Sequence, residues 1–437
     1  MENEKYLKRI VDKQLKEKLE YVGAVCIVGP KWCGKTTTAK KQAKSVINLQ
    51  DPDKRNSYLE IAEIKPSLLL EGEKPRLIDE WQMIPLVWDA VRTSVDKIGH
   101  FGQYILTGST SVNKKTIMHS GTGRISKIKM YPMSLYESNE SNGKISLTEL
   151  FNNKDLNIDG IYSKCTLTDL IYACCRGGWP SSLQSQKYAL KIAKSYFDNI
   201  CDEDCITVDG VKRSPTKMRN FLRSYARNIS SLASDTTIIN DLAANDSTFD
   251  KKTMTSYMSA LEKLFVIDEV EAWCPNIRSK ASIRSSNKRQ FVDPSIAVSA
   301  LNLTPELLLQ DLHTFGLIFE NLCIRDLKIY SQALGGNVSY YRDKTGLESD
   351  CVLHLDDGRF ALIEIKLGNK QIEDGSKHLL ELKSLIEKYN ANEKNIIKLK
   401  EPDLLMILTG ENMAYTNKDG VKVVPIACLK DWYISFV

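Results

Sequence analysis

The sequence predicts an α/β protein of several domains, and three observations carry that expectation. Over the first 130 residues, short apolar runs alternate with helical patterns, as a parallel sheet covered by helices requires. A glycine-rich, phosphate-binding motif lies between one such run and the helical stretch after it. From about residue 300 a long helical pattern precedes a hairpin and renewed strand–helix alternation. A chain of 437 residues exceeds one ordinary core, and a prior of about 150 residues per domain points to about three.

The expected strands of the first part are Ala24–Val28, Ser45–Leu49, Arg76–Asp79, Gln103–Leu106 and Ile125–Met130, with helices at Tyr58–Leu70 and Leu86–Ile98. Polar Ser138–Lys144 marks a boundary. Residues 147–230 read as mainly helical around a Gly177-Gly178-Trp179-Pro180 turn, and Thr237–Ala244, Lys251–Phe265 and β-prone Val266–Trp273 suggest two helices and a wing. A helix at Leu307–Tyr330 opens the last part. The division is therefore 1–145, 146–230, 231–299 and 300–437.

Apolar residues make up 42% and charged residues 26%, so wholesale disorder is not expected. No run approaches the roughly 18–20 apolar residues that cross a bilayer, and the charged start lacks a secretory stretch. Eleven cysteines without a CxxC pair, beside only five histidines, argue for reduced thiols rather than zinc. A cytoplasmic protein without a membrane partner is the expectation. Of the net charge of +5, the excess concentrates in residues 210–290, with 14 Lys/Arg against 8 Asp/Glu. Such clustering suits a phosphate backbone.

Gly29-Pro30-Lys31-Trp32-Cys33-Gly34-Lys35-Thr36 fits GxxxxGK[ST], followed by Thr37. Its context, after AVCIV and at the start of a helix, is what the chemistry needs. Glycines let backbone amides wrap a phosphate at a helix start. Lys35 reaches the β- and γ-phosphates of ATP, and the Thr36 hydroxyl suits Mg²⁺. Leu77-Ile78-Asp79-Glu80 ends a strand with two acids: Asp79 for the Mg²⁺ hydration shell, Glu80 to polarise the attacking water. Hydroxyls in Thr107-Gly108-Ser109-Thr110 are placed to sense a γ-phosphate, or are ordinary turn residues.

Here the chain resembles the AAA-type ATPases that carry a DUF4143 C-terminal region. The likeness lies in GPKWCGKTTTAKK, RLIDEWQMIP, YILTGSTS, GTGRISKIKMYPMSLYE, GGWP, LRSYARNISSL, FVDPSIAVSAL and GLIFENLCIRDL, in that order over nearly the whole chain. The resemblance implies an ASCE-type parallel sheet, a middle with a winged helix, and a restriction-endonuclease-like PD-(D/E)xK domain. It puts Arg124 at an Ala-Gly-Arg-like position, where Thr122 replaces the alanine, as a charge sensor, an arginine finger or a structural arginine.

The C-terminal part offers a second constellation. Runs Cys351–Leu355 and Phe360–Lys366 flank Asp356-Asp357-Gly358, a three-residue hairpin loop that sets Asp350 opposite Glu364, with Lys366 on the same face. Carboxylates so close repel unless a cation intervenes, and Mg²⁺ or Mn²⁺ would resolve the conflict. Glu320, on the apolar face of its helix, adds a third acid. The resemblance places Glu320, Asp350, Glu364 and Lys366 on the nuclease positions, with Lys366 steadying a nucleophile or oxyanion. A solvated cross-strand pair is the plainer alternative.

In the basic middle, Lys251 and Lys252 would meet phosphates with Thr255, Ser256 and Ser259 near base edges, extended by Arg278, Lys280, Arg284, Lys288 and Arg289. No base-reading fork is evident, so contact would be backbone-directed, with DNA ahead of RNA. The expected function is an ATP-hydrolysing protein coupled to a metal-dependent, nuclease-like, nucleic-acid-binding domain, with a homo-oligomer among its assemblies. The alternatives are a nucleotide-gated switch whose C-terminal fold does not cut, and ATP-dependent transcription regulation.

Overall fold

The computed structural model describes residues 6–109, 119–244, 249–275 and 286–431. The chain divides into two compact units. One comprises 1–132 with 204–212 and 259–266; the other comprises 133–203, 213–258 and 267–437. The segments expected at 146–230, 231–299 and 300–437 thus share one body apart from those two short stretches.

In the first unit, helix α1 (Val11–Leu19) precedes a five-stranded sheet: β1 (Ala24–Val28), β2 (Ser45–Asn48), β3 (Arg76–Asp79), β4 (Tyr104–Gly108) and β5 (Ile125–Lys129). The order is β2-β3-β4-β1-β5, every pair parallel. Central β1 and β4 are almost wholly apolar because helices cover both faces. Helix α2 (Lys35–Gln42) follows β1. The helix expected at Tyr58–Leu70 is divided into α3 (Arg55–Ile64) and a 3₁₀ turn, Pro66–Leu70. Pro66 lacks the donor that would continue the helix and disfavours helical backbone at Lys65. Helix α4 (Leu86–Ile98) buries Val87, Trp88 and Val91 and ends at left-handed Gly99. Trp88 lies against Trp81 at a centroid distance of 4.5 Å, beneath the C-terminal end of β3.

The second unit begins with helices, among them α5 (Leu167–Arg176), closed by a Thr166/Asp169 capping box. Further along come α6 (Pro215–Arg227), α7 (Asp235–Ala243) and α8 (Lys251–Lys263), which runs out of this unit. The β-prone Val266–Trp273 forms isolated bridges rather than a regular ladder: Ile267 with Phe291, Val270 with Lys288, and Ala272 with Tyr340. The helix expected at Leu307–Tyr330 is two helices, Pro305–Gln310 and α9 (Leu312–Ala333). Asp311 separates them and caps α9 by accepting from the Thr314 N–H at 3.0 Å.

Six strands make a mixed sheet: β6 (Gly336–Arg342), β7 (Glu348–Leu355), β8 (Phe360–Lys366), β9 (Leu404–Thr409), β10 (Tyr415–Thr416) and β11 (Lys422–Pro425), ordered β10-β11-β9-β8-β7-β6. Strands β6, β7 and β8 are antiparallel neighbours, and β9 runs parallel to β8 and β11. Helix α10 (Ile372–Ala391) packs on this sheet over an apolar core that includes Leu362, Leu379, Leu382 and Ile407. Among the described residues, no helix is long and apolar enough to cross a membrane.

Candidate functional site

The phosphate loop connects β1 to α2. Gly29 has φ +154°, and a Cβ there would lie 2.2 Å from the Met130 carbonyl oxygen, so no side chain fits. Gly34, at φ +101°, opens α2. Pro30 and Cys33 are buried, whereas Trp32 at φ 64° and Thr37 are exposed. Buried Lys35 lies back along the loop, its Nζ donating to the carbonyls of Gly29 at 3.1 Å and Pro30 at 2.7 Å. Lys31 pairs instead with Asp204 at 2.6 Å, a contact that its sequence position gave no reason to expect.

The parallel sheet brings the ends of β3 and β4 beside this loop. Asp79 Oδ1 accepts from the hydroxyls of Thr36 at 2.7 Å and Thr107 at 2.5 Å. Glu80 adopts a left-handed backbone, φ 55°, and its N–H donates to Thr107 Oγ1 at 3.1 Å. Its Oε2 accepts from Ser109 Oγ at 2.9 Å and Gln82 Nε2 at 2.5 Å. Thr107 and Ser109 are therefore tied to the two acids, while Thr110 lies outside the described residues. Gln82 was not singled out in the sequence; its only signal was its place two residues after the acidic pair. A hydroxyl and a carboxylate oxygen at this spacing are hard donors of the kind Mg²⁺ takes, directly or through water, so the residues fit that ion.

Arg124 is not brought to this loop. Because β5 runs parallel to β1 with Ile125 opposite Ala24, Arg124 lies at the strands' starting edge, while the loop follows their far ends. There it donates to Asp96 at 2.8 Å and the Thr122 carbonyl at 3.3 Å. A charge-sensing role within the same chain is corrected accordingly.

In the second unit, Glu320 on α9, Asp350 on β7, and Glu364 and Lys366 on β8 do converge. The pairing of Cys351 with Ile363 carries Asp350 opposite Glu364, and Gly358 turns the hairpin at φ +84°. Asp350 Oδ2 accepts from the Ile365 N–H at 2.9 Å and Lys366 Nζ at 3.1 Å. Lys366 also meets Glu364 at 2.5 Å. Glu364 is wholly buried, and its second oxygen has His378 Nδ1 at 4.0 Å. Gly375 lets α10 close over these residues, since a Cβ there would be 3.4 Å from Glu364 Cβ. Glu320, Asp350, Lys366 and Lys288 line a cavity of about 1070 Å³.

Lys288 is the residue the sequence placed elsewhere. Rather than extending a nucleic-acid surface, it is buried, 2.5 Å from Glu320 and 3.4 Å from Asp350. Arg289 is buried too, paired with Asp235 at 2.6 Å and with Glu269. Both leave the expected footprint. Arg278, Lys280 and Arg284 lie outside the described residues, Lys251 and Lys252 are exposed, and Ser256 accepts from Arg213 at 3.1 Å.

These charges tune one another. Burial would raise Asp350, but Lys288, Lys366 and the Ile365 N–H hold it well below the ordinary carboxylate range. Burial and then the neighbouring Asp350 raise Glu364. Burial pushes Glu320 up to about 7 despite Lys288. Burial opposes the charge on Lys288 and Lys366, yet their acids hold both above the ordinary lysine value. Two ammonium groups stand between three carboxylates, and among the described residues no three His, Cys, Asp or Glu have metal-holding geometry. In this arrangement the set does not fit Mg²⁺ or Mn²⁺.

The sheet order and the loop–helix junction define a P-loop ATPase. Residues 22–139 match the AAA domain and residues 315–429 match DUF4143, a domain of unknown function. Residues 167–307 match a further domain of unknown function, DUF8612. The chain thus carries an AAA domain followed by a DUF4143 domain, and its phosphate loop binds ATP. No curated protein matches. Among solved structures, the Walker-type ATPase PABY2304 of Pyrococcus abyssi is similar at 13% identity and TM-score 0.41, over 68% of this chain and 97% of that one. A replication initiator DnaA bound to AMPPCP and single-stranded DNA is similar at 13% identity and TM-score 0.27, over 58% and 86%. At such scores neither likeness bears on function.

Proposed function

We propose that the protein hydrolyses MgATP in its first unit and uses the second to engage a nucleic-acid backbone. The observation that carries the hydrolytic half is the shared Asp79 oxygen, which joins Thr36 of the phosphate loop to Thr107 of β4. Lys35 exchanges two backbone carbonyls for phosphate oxygens as nucleotide enters. Glu80, its Oε2 held by Ser109 and Gln82, orients the attacking water and takes up its proton. Mg²⁺, when bound beside Thr36 and Asp79, offsets phosphate charge.

Glu80→Gln should keep nucleotide affinity while slowing turnover by about 10²-fold or more, and Lys35→Ala should lose binding. Normal hydrolysis by Glu80→Gln would remove Glu80 from this role. Arg124, exposed away from its own loop, is available as a finger to a second copy, which Arg124→Ala would test through concentration-dependent ATPase activity.

For the second unit, the meeting of Glu320, Asp350 and Lys366 at a large cavity, with buried Glu364 behind them, supports a nuclease-like reading, and Lys288 between two of the acids favours the non-cutting form. Full-length protein with Mg²⁺ or Mn²⁺, with and without ATP, is to be tested on labelled DNA and RNA beside Asp350→Ala. Binding without cleavage is the expected outcome. Cleavage that disappears in Asp350→Ala would establish the cutting alternative.

A further inference from the structure

The geometry points to Lys288 as a tethered counter-ion that fills the cation position between Glu320 and Asp350 and keeps divalent metal out. The inference rests on reading Glu320, Asp350 and Glu364 as the cation-gripping set. Lys288 reaches that place on a fixed backbone: its N–H donates to the Val270 carbonyl at 2.8 Å, and its own carbonyl accepts from Val270 at 3.0 Å. The side chain is 8% exposed, and Nζ lies 2.5 Å from Glu320 Oε1 and 3.4 Å from Asp350 Oδ1. From the other side, Lys366 approaches Asp350 at 3.1 Å and Glu364 at 2.5 Å.

A divalent ion drawn to the same oxygens would meet an ammonium within a few ångströms, buried with little water to screen it, and like charges at that spacing repel strongly. Five formal charges from two lysines and three acids leave a single negative excess, too little to recruit a doubly charged ion. Lys366 has the lysine role expected of a nuclease-like hairpin. Lys288 comes from outside that hairpin, and nothing in the ATPase chemistry employs it. An ammonium held on a backbone hydrogen-bonded at both groups cannot diffuse away as a bound ion does. The second unit thus carries a neutralised centre with an open cavity beside it.

The test is Mn²⁺ binding to the nucleotide-free full chain, followed by the paramagnetic resonance signal of free Mn²⁺. Wild type should show no site that Asp350→Asn removes. Lys288→Met should gain one, at least about ten-fold tighter than anything Asp350-dependent in wild type, and adding Asp350→Asn should abolish it. Should Lys288→Met fold poorly, Lys288→Gln, which keeps a polar group in the same place without its charge, should still gain an Asp350-dependent Mn²⁺ site tighter than anything in wild type. An Asp350-dependent site in wild type would overturn the proposal, as would Lys288 variants that fold and gain no site. Metal binding is read apart from cleavage, so a protein that never cuts yet behaves as expected here refutes nuclease activity and leaves the role of Lys288 standing.

Discussion

The two charged centres of this chain hold their acids in opposite ways. At the phosphate loop, Asp79 is joined to Thr36 and Thr107 through hydroxyls, and Lys35 rests on two backbone carbonyls. Each of those contacts joins a charged group to a neutral partner, which water or a phosphate oxygen can replace without stranding an opposite charge. In the second unit, Asp350, Glu364 and Glu320 are held by Lys288 and Lys366, and breaking such buried pairs exposes uncompensated charge. The first centre is arranged to exchange ligands, the second to keep its shape. A cluster of acids and lysines therefore says little about chemistry until its partners are known.

The sharpest way to break this comparison is to remove the central acid from each centre. Asp350→Ala strips a partner from two buried ammonium groups and should cost about 3–5 kcal/mol. Asp79→Ala releases two hydroxyls that can turn elsewhere and leaves no opposite charge behind, and about 1.5–3 kcal/mol is expected. Urea unfolding of both variants, followed by a probe in each unit, compares them; equal losses would erase the distinction.

A smaller effect separates the units by pH. Asp326, on α9, is fully buried, accepts from the Leu135 N–H at 2.9 Å and pairs with Arg325 at 2.8 Å. Burial pushes it up to about 6 against that pairing, from 3.8. Between those values the folded chain keeps a proton that the unfolded chain releases, so this group's contribution to stability declines as pH rises from about 4 to 6. This group's share should amount to about 2–3 kcal/mol over that window, and the slope of Asp326→Asn should differ from wild type by that amount. Wild-type and Asp326→Asn curves that run parallel across the window would remove the buried proton.

What was legible in the sequence follows the range of the forces involved. Periodicity and one glycine-rich motif yielded β1, β3, α4 and the loop, because those patterns are local. Counting along a hairpin brought Asp350 opposite Glu364 for the same reason. The helix breaks at Pro66 and Asp311 carried visible signals, a missing donor and a capping side chain, which the apolar pattern overrode. Lys288 could not be found this way: it lies 32 residues from Glu320 and 62 from Asp350, in a stretch whose basic composition reads equally as surface. Of the three readings of Arg124, only charge sensing within the chain is excluded, because a motif fixes position in the chain while strand direction decides which edge of the sheet a residue reaches.

The finest test concerns the first centre alone. Ser109 and Gln82 both donate to Glu80 Oε2, and neither uses Oε1, so on the proposed mechanism they orient the carboxylate that receives the water's proton. Ser109→Ala removes one of the two donors and leaves Asp79, Thr36 and the loop untouched. Loss of one such bond, about 1 kcal/mol, should lower kcat about five-fold. KM should stay constant, since nucleotide binding does not involve Oε2. If Ser109 served only to pack the end of β4, KM and the unfolding midpoint would move with kcat. A fall in kcat alone separates orientation of the carboxylate from support of the strand.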